Sequence, residues 1–212
     1  MHILIFGASG GVGRALVQQA LDSGDEVTAA LRSPEKFDLQ HPKLHIRHCD
    51  AFNAADVAAL FTGNSQYDAV ASALNTNQGV KPGDDLQRML DNIVTQLQKH
   101  GIKRIVYCAS AGVDNELEGE RGQAAMEFLR YPLADHRAAI GIIQAAGLSA
   151  TIVRPLGLTN DALSAHYLEA AQGVPAGSGR IARTDVAHFM LKALHNDAYI
   201  GQSVALSYPA SE

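Results

Sequence analysis

The sequence predicts one α/β domain with a doubly wound, mostly parallel sheet and helices on both faces. Short apolar runs alternate with longer segments of helical period, as in chains of βαβ units. A glycine-rich stretch joins the first apolar run to the first helical segment. The chain has 212 residues, which is long for one domain but short for two. We therefore expect residues 1–212 to form a single domain.

Six strands and five helices are expected along the chain. The strands are predicted at Ile3 to Phe6, Val27 to Leu31, Leu44 to His48, Ala69 to Ala73, Arg104 to Cys108 and Ala150 to Val153. The helices are predicted at Gly13 to Ser23, Ala54 to Phe61, Asp85 to His100, Leu133 to Ala146 and from about Thr184 onward, where Thr184 and Asp185 suit a helix N-terminus.

Two parts of the chain are less regular. From Thr159 onward small residues are frequent, notably at 173–179, and we expect residues 159–212 to form a small substrate-side lobe of the same domain. Residues 112–130 follow the fifth strand and are predicted to be an acidic loop, either a substrate lid or a mobile surface segment.

Composition excludes several classes of protein. With 17 Lys+Arg against 22 Asp+Glu, the net charge of -5 gives no general attraction to nucleic acid. No apolar run approaches the roughly 18 residues of a membrane span, and no signal peptide is recognised. Cys49 and Cys108 read as buried thiols, and the histidines lack metal-ligand spacing. We expect a cytoplasmic protein, monomeric or a small homo-oligomer, that binds no metal and has a small molecule as its partner.

The glycine-rich stretch is Gly7-Ala8-Ser9-Gly10-Gly11-Val12-Gly13, directly after a strand and before a helix. Gly7 permits a tight turn, Gly10 permits backbone to approach a diphosphate, and Gly13 permits close packing of helix on sheet. The free N–H groups of the helix start can bind the anion. A Rossmann-type dinucleotide site is predicted here, with Arg14 among its contacts.

The end of the second strand indicates which nucleotide binds. The acid that usually bonds both ribose hydroxyls of NAD is absent, and Arg32, Ser33 and Lys36 stand there instead. These groups suit a 2′-phosphate, so NADP(H) is predicted in preference to NAD(H). Arg32 as a merely solvated loop cation is the alternative. Asp50, beside Ala51, is placed either to contact the adenine or to cap the following helix.

Several motifs together resemble a known family. The glycine turn, Arg32, Cys108-Ala-Ser110-Ala111 and Arg154-Pro155 are similar to atypical short-chain dehydrogenases/reductases with NmrA-like and biliverdin-reductase-B-like (flavin reductase) members. The distal motifs are similar to the biliverdin-reductase-B-like branch: Asp135-His136-Arg137, Gly147-Leu148, Arg154-Pro155 and Ile181 to Leu191. The resemblance runs nearly end to end. It implies a single-domain Rossmann fold and an NADPH-dependent reductase of flavins, quinones or linear tetrapyrroles. Some NmrA-like members only bind the cofactor and regulate other proteins.

The resemblance also implies roles for individual residues. Ser110 matches a serine beside the nicotinamide, and His136 matches a histidine near the substrate pocket. The loop under the nicotinamide ribose corresponds to Leu74 and Asn75, and the loop over the nicotinamide ring to Pro155 and Leu156. For Ser110 a role in satisfying the turn backbone remains open, and for His136 a role in core packing.

The Tyr-x-x-x-Lys pair of standard short-chain dehydrogenases is not present. Tyr131 is the nearest tyrosine, but Asp135 occupies the lysine position, and Pro132 is expected to interrupt the helix that such a pair requires. Alcohol oxidation and epimerisation by the usual tyrosine are therefore disfavoured. We predict hydride transfer from the nicotinamide to a flat conjugated acceptor, with a non-catalytic NADP(H)-sensing regulator as the alternative.

Overall fold

Strands and helices alternate through the residues described in this computed structural model, which are 1–63, 66–177 and 179–210. The strands are His2–Phe6 (β1), Glu26–Leu31 (β2), Leu44–His48 (β3), Ala69–Ser72 (β4), Arg104–Cys108 (β5), Ser149–Pro155 (β6), Gly157–Thr159 (β7), Leu168–Ala170 (β8), Arg180–Ala182 (β9) and Ser203–Ser207 (β10). The helices are Gly11–Asp22 (α1), Ala54–Ala59 (α2), Asp85–Lys99 (α3), Gly119–Phe128 (α4), Arg130–Ala145 (α5) and Arg183–Leu194 (α6).

The main sheet has the strand order β3-β2-β1-β4-β5-β6-β10-β8, in which only β8 is antiparallel to its neighbour. The first six positions reproduce the order of the Rossmann fold, and the order reverses between β1 and β4. All six predicted strands are present, so the fold class is confirmed. Ligands of such sheets bind in the crevice at the carboxyl ends of the strands beside this reversal.

Two apolar layers hold the helices on the sheet. Helices α1 and α6 pack on each other and cover one face, while α3 and α5 pack together on the other face, with α2 beside α3. Strands β1, β4 and β5 are almost wholly buried, as expected for parallel strands covered on both sides. The central strands are therefore rigid supports for whatever follows their carboxyl ends.

The segment 159–212 does not stand apart from the sheet. β10 pairs with β6, and α6 packs on α1. β7 and β9 form a separate two-stranded sheet near the carboxyl ends of the main strands. Residues 178, 211 and 212 of this segment lie outside the described residues. The predicted substrate-side role of the segment stays a prediction.

Helix α6 begins at Arg183, one residue before the predicted start, and its acidic residue does not cap it. The buried Asp185 carboxylate accepts hydrogen bonds from the Ser164 and Ala165 N–H groups and from the Tyr208 hydroxyl. The Thr184 hydroxyl donates to the carbonyl of Asp161. These side chains tie residues 161–165 to the helix instead of satisfying its first turn. No described helix is long and apolar enough to cross a membrane.

Candidate cofactor and acceptor site

A cavity of about 890 Å³ lies at the carboxyl ends of the central strands. It brings together the glycine turn, the segments after β4 and β5, the start of α5 and the residues after β6. Its predicted members are Gly10, Gly11, Val12, Leu74, Asn75, Ser110, His136, Pro155 and Leu156. The cavity thus unites residues that lie more than 140 positions apart in the chain, at the place where open α/β sheets bind their ligands.

The glycine turn leaves no room for side chains. Gly7 has φ +75°, and a Cβ there would lie 2.5 Å from the carbonyl oxygen of Ala73. A Cβ on Gly13 would collide with the carbonyl oxygen of Gly7, and would lie 3.0 Å from the Cα of Ala8. Gly10, the N-cap of α1, supplies no side-chain cap, so the first N–H groups of the helix remain available to an anion. The turn, which includes Ser9, therefore fits a dinucleotide diphosphate.

Arg183 lies over the same turn, although no site role was predicted for it from the sequence. A Cβ on Gly11 would collide with the Cδ of Arg183, so the arginine stem lies directly against the start of α1. Its guanidinium donates to Asn160 Oδ1 at 2.7 Å and to the carbonyl oxygen of Thr159 at 3.1 Å, and Arg183 lines the cavity. A cation is disfavoured at a helix N-terminus unless an anion joins it. Arg183 is therefore a further candidate for holding the diphosphate.

The predicted 2′-phosphate contacts lie after β2, outside the cavity lining. Arg32 and Lys36 are exposed, and the side chain of neither makes an ion pair or hydrogen bond with another described residue; Ser33 is half-buried. Arg14 instead donates to Asp38 Oδ1 at 2.7 Å, and this guanidinium lowers the pKa of the Asp38 carboxyl. The structure thus leaves Arg32 and Lys36 available to a phosphate, while Arg14 is already bound to a carboxylate.

Asp50 closes a local turn. Its Oδ1 accepts from the N–H of Phe52 at 3.1 Å, whereas the cap of α2 is Asn53, which accepts from the N–H of Ala55. The capping role that was left open for Asp50 therefore belongs to Asn53. Ala51 is buried, and its carbonyl accepts a hydrogen bond from Asn92 of α3.

Ser110 lies at the carboxyl end of β5, on the cavity wall. Its hydroxyl donates to the carbonyl oxygen of Ala111 at 3.1 Å, which leaves the oxygen able to accept a hydrogen bond from a ligand. Leu74 and Asn75 face the same cavity from the segment after β4, and Pro155 and Leu156 from the end of β6. The backbone of this wall is fixed by the N–H of Ala111, which donates to the carbonyl of Pro155 at 3.0 Å.

His136 lies on α5 with its ring on the cavity wall and is only 6% exposed. Its Nδ1 is 2.8 Å from the hydroxyl of Tyr107, which is fully buried in β5. Burial lowers the pKa of His136 to about 4 and raises the pKa of Tyr107 well above its usual value. At neutral pH the pair is therefore an uncharged imidazole bonded to a protonated phenol.

The segment that carries Tyr131 differs from the prediction. Tyr131, Pro132 and Asp135 all lie in α5, so the proline does not separate the tyrosine from the aspartate. The proline occupies the first turn, where its missing N–H has no helical partner to lose, and the break with α4 falls at Leu129. The Tyr131 ring lies beneath the Arg130 guanidinium, 4.5 Å from its centre.

Asp135 bonds to backbone N–H groups and makes no hydrogen bond with the Tyr131 hydroxyl. Its buried carboxylate accepts from the N–H groups of Leu86 and Gln87, both at 2.9 Å, and so caps α3 from a neighbouring helix. Asp135 therefore has a structural role in joining α5 to α3.

The predicted loop at 112–130 is in fact half helical, because residues 119–128 form α4. None of the α4 residues is buried, and Phe128 is 66% exposed. The residues before α4 are anchored firmly: Arg154, 2% exposed, pairs with Glu116, and Arg137 Nε donates to the carbonyl of Val113. The segment is thus fixed at its start and loosely packed along its helix.

Comparison with known proteins tests the cofactor prediction. A family model described as NAD(P)H-binding matches residues 7–197, which is most of the chain and includes the glycine turn.

This chain belongs to the NAD(P)H-binding family.

The expected NAD(P)H-binding family and the Rossmann fold are thus both confirmed. The chain is similar to an uncharacterised chloroplastic protein of Arabidopsis thaliana, with 27% identity over 205 residues that cover 91% of this chain and 71% of that protein. A Rossmann-fold NAD(P)-binding family protein from Shigella flexneri has 24% identity and a TM-score of 0.77, with 100% of this chain and 95% of that one covered.

A short-chain dehydrogenase/reductase from Veillonella parvula, solved in complex with NADP, has a TM-score of 0.82 at 18% identity, with 98% of this chain and 94% of that one covered. Likeness at this level shows the fold alone. The cofactor class of the present chain rests on the NAD(P)H-binding family and on the glycine turn.

Two site residues of this NAD(P)H-binding protein could not be found from its sequence. Arg183 opens a helix some 170 residues after the glycine turn, and no local pattern marks its contact with Gly11. Tyr107 lies in an apolar run and reads as core, and only the fold shows that its hydroxyl reaches His136.

Proposed function

We propose that this protein is an NADPH-dependent reductase that passes a hydride to a flat conjugated acceptor such as a flavin, a quinone or a linear tetrapyrrole. The observation that carries the proposal is the continuous cavity, which joins Gly10 and Gly11 of the glycine turn to Ser110 and His136. When bound, NADPH supplies the hydride from its nicotinamide, and the cavity is large enough to hold an aromatic acceptor beside that ring.

The protein's own contribution is orientation. The Ser110 oxygen can accept from a carboxamide or an acceptor group, and the uncharged His136 can hold a carbonyl. The largely apolar wall excludes water from the reacting groups. An acceptor that takes hydride readily needs no strong acid, which agrees with the roles found for Tyr131 and Asp135.

The preference for NADP(H) is part of the proposal and rests on Arg32. Its exposed guanidinium has no partner among the described residues and stands where a 2′-phosphate is expected. Arg32→Ala should weaken NADPH binding by about tenfold to a hundredfold, the worth of a charge-assisted hydrogen bond, and should leave NADH binding nearly unchanged. Titration calorimetry with both nucleotides measures this, with Arg121→Ala as a control on α4. Equal losses for both nucleotides would remove Arg32 from the phosphate site.

The reductase itself is tested by NADPH oxidation with free flavin, quinones and linear tetrapyrroles, with NADH in parallel. We expect turnover with at least one acceptor, reduced in Ser110→Ala while NADPH still binds. Tight NADPH binding without turnover of any acceptor would contradict the reductase and favour the regulator, whose search would then turn to protein partners. We place this activity in the cytoplasm, in a monomer or small homo-oligomer whose partner is the small acceptor.

A further inference from the structure

Much of the cavity is lined by apolar side chains. These residues, here called the acceptor wall, come from the segment after β4, from α4 and the residues on either side of it, and from α5 and β7: Val80, Leu117, Ala125, Leu129, Pro132, Leu133 and Leu158. Few polar residues line the cavity, and the buried His136 is the one histidine among the described ones. An acceptor bound here must therefore be largely apolar and need few hydrogen bonds.

The charged side chains around the cavity also favour an uncharged acceptor. Among the described residues that line the cavity, Arg183 is the one permanent cation, and it lies against Gly11 at the cofactor end. Two nearby arginines of α5 are already engaged: Arg130 pairs with Glu127 at 2.8 Å, and Arg137 bonds to the carbonyl of Val113. A phosphate or propionate on the acceptor wall would lose its hydration without gaining a charged partner, which is strongly unfavourable.

The Tyr107–His136 hydrogen bond determines which ring nitrogen carries the proton. The phenol hydrogen of Tyr107 has no acceptor among the described residues other than His136 Nδ1. The arrangement that satisfies it makes Tyr107 the donor and Nδ1 the acceptor, which leaves the proton of the neutral ring on Nε2. No described residue bonds to Nε2, and the ring lies on the cavity wall. His136 is thus a ready N–H donor toward a ligand.

We propose, on the basis of the reductase function above, that the acceptor wall binds a neutral quinone, one carbonyl oxygen of which accepts a hydrogen bond from Nε2–H of His136. Tyr107 is the positioning residue that holds His136 in this tautomer. A quinone carries two carbonyl oxygens on an apolar ring, which matches one fixed donor in an apolar wall.

The reaction balances with the groups named. The quinone receives a hydride from NADPH and one proton from water, its two carbonyl groups become the hydroxyl groups of a hydroquinone, and NADP⁺ is left. His136 keeps its own proton and lowers the energy of the negative charge that develops on the carbonyl oxygen. Because the buried imidazole is neutral throughout the physiological range, this stabilisation does not depend on pH near neutrality.

The first test is equilibrium binding to the purified full chain by titration calorimetry, with 1,4-naphthoquinone and flavin mononucleotide as probes. We expect naphthoquinone to bind at least about tenfold more tightly than the flavin, because the flavin phosphate finds no buried cation. Tighter binding of the flavin, lost in Arg121→Gln, would show that this exposed α4 cation serves anionic acceptors and would overturn the proposal. Binding of neither probe would overturn it as well.

The second test concerns Tyr107. Tyr107→Phe removes the hydroxyl and should weaken naphthoquinone binding by about tenfold, the worth of a fixed hydrogen bond, with NADP⁺ affinity and melting temperature as checks on the fold. Tyr131→Phe is the matched control and should change nothing. Nitrogen-15 NMR should show His136 protonated on Nε2 in the parent chain and a mixture of tautomers in Tyr107→Phe. An Nδ1-protonated ring in the parent chain would overturn the proposal, and His136→Phe, which lacks the donor, checks the loss independently.

The two proposals can fail separately. Turnover of NADPH with flavins but not with quinones would refute the quinone site and leave the reductase standing. Absence of turnover with every acceptor, in a chain that binds NADPH, would refute the reductase itself.

Discussion

The two ends of the cavity are built in different ways. The cofactor end is made of backbone: Gly7 and Gly13 lie so close to their neighbours that a single methyl group would collide. The acceptor end is made of side chains, and one of its walls, α4, contains no buried residue. Backbone that is packed this tightly permits one geometry and hence one class of ligand, whereas a wall of exposed-helix side chains can change without disturbing the core. We therefore predict that substitutions in the tightly packed backbone of the cofactor end destabilise the fold. Substitutions on the exposed helix at the acceptor end should leave the fold intact and change which ligand binds.

The largest effect is expected at Gly13. In Gly13→Ala the new methyl group collides with the carbonyl oxygen of Gly7, so the turn must shift, at a cost of about 3 kcal/mol in the free energy of unfolding. NADP⁺ binding should be lost at the same time. Gly141→Ala is the matched control: its Cβ meets nothing within 4 Å in α5, and it should stabilise the protein by about 0.5–1 kcal/mol. Urea denaturation and calorimetry measure both variants, and equal behaviour would contradict the rigid cofactor end.

An effect of similar size is expected at the acceptor end, from the protonation of His136. Its pKa falls from the usual 6.5 to about 4 on folding, so the unfolded chain binds the proton more tightly. The stability from keeping this ring neutral is complete above pH 6.5 and is lost as the pH falls toward 4, by about 3 kcal/mol in all. Denaturation of the parent chain and of His136→Gln across this range should show a shallower slope for the variant. Parallel slopes would mean that His136 is accessible to water.

Arg183 connects the cofactor end to α6, and its removal should have a moderate effect. Arg183→Gln should raise the dissociation constant of NADP⁺ by about tenfold, because a charged partner of the diphosphate is lost. Binding should also depend less on salt than in the parent chain. Calorimetry at two salt concentrations measures this, with Arg121→Gln as the control. An unchanged affinity would limit Arg183 to holding Thr159 and Asn160.

The smallest effect is expected on α4. Phe128 is 66% exposed, so Phe128→Ser should change the free energy of unfolding by no more than about 0.5 kcal/mol. Phe189→Ser, in a fully buried position of α6, gives the contrasting loss by thermal denaturation. A large loss at Phe128 would indicate that α4 is covered in solution and that the contrast between the two ends is weaker than the structure suggests.

The features that could be predicted from the sequence depend on local contacts, and those that were missed depend on distant ones. The strands and the glycine turn depend on neighbouring residues, and their apolar runs and glycine spacing identify them. The helix at 119–128 has no apolar face to mark it, and its acidic, glycine-bearing sequence is typical of a loop. The roles of Tyr107, Asp135 and Arg183 depend on partners 23 or more positions away, as in the bond between Tyr107 and His136. Contacts of that kind have no local signal.

The late position of α6 and β10 also affects how the protein can be made. α1, which follows the glycine turn, packs on α6, and β6 pairs with β10, so the early half of the chain cannot complete its core until both late elements have left the ribosome. Arg183 reaches Gly11 at that same stage. The nascent chain therefore carries an unfinished nucleotide site through most of its synthesis.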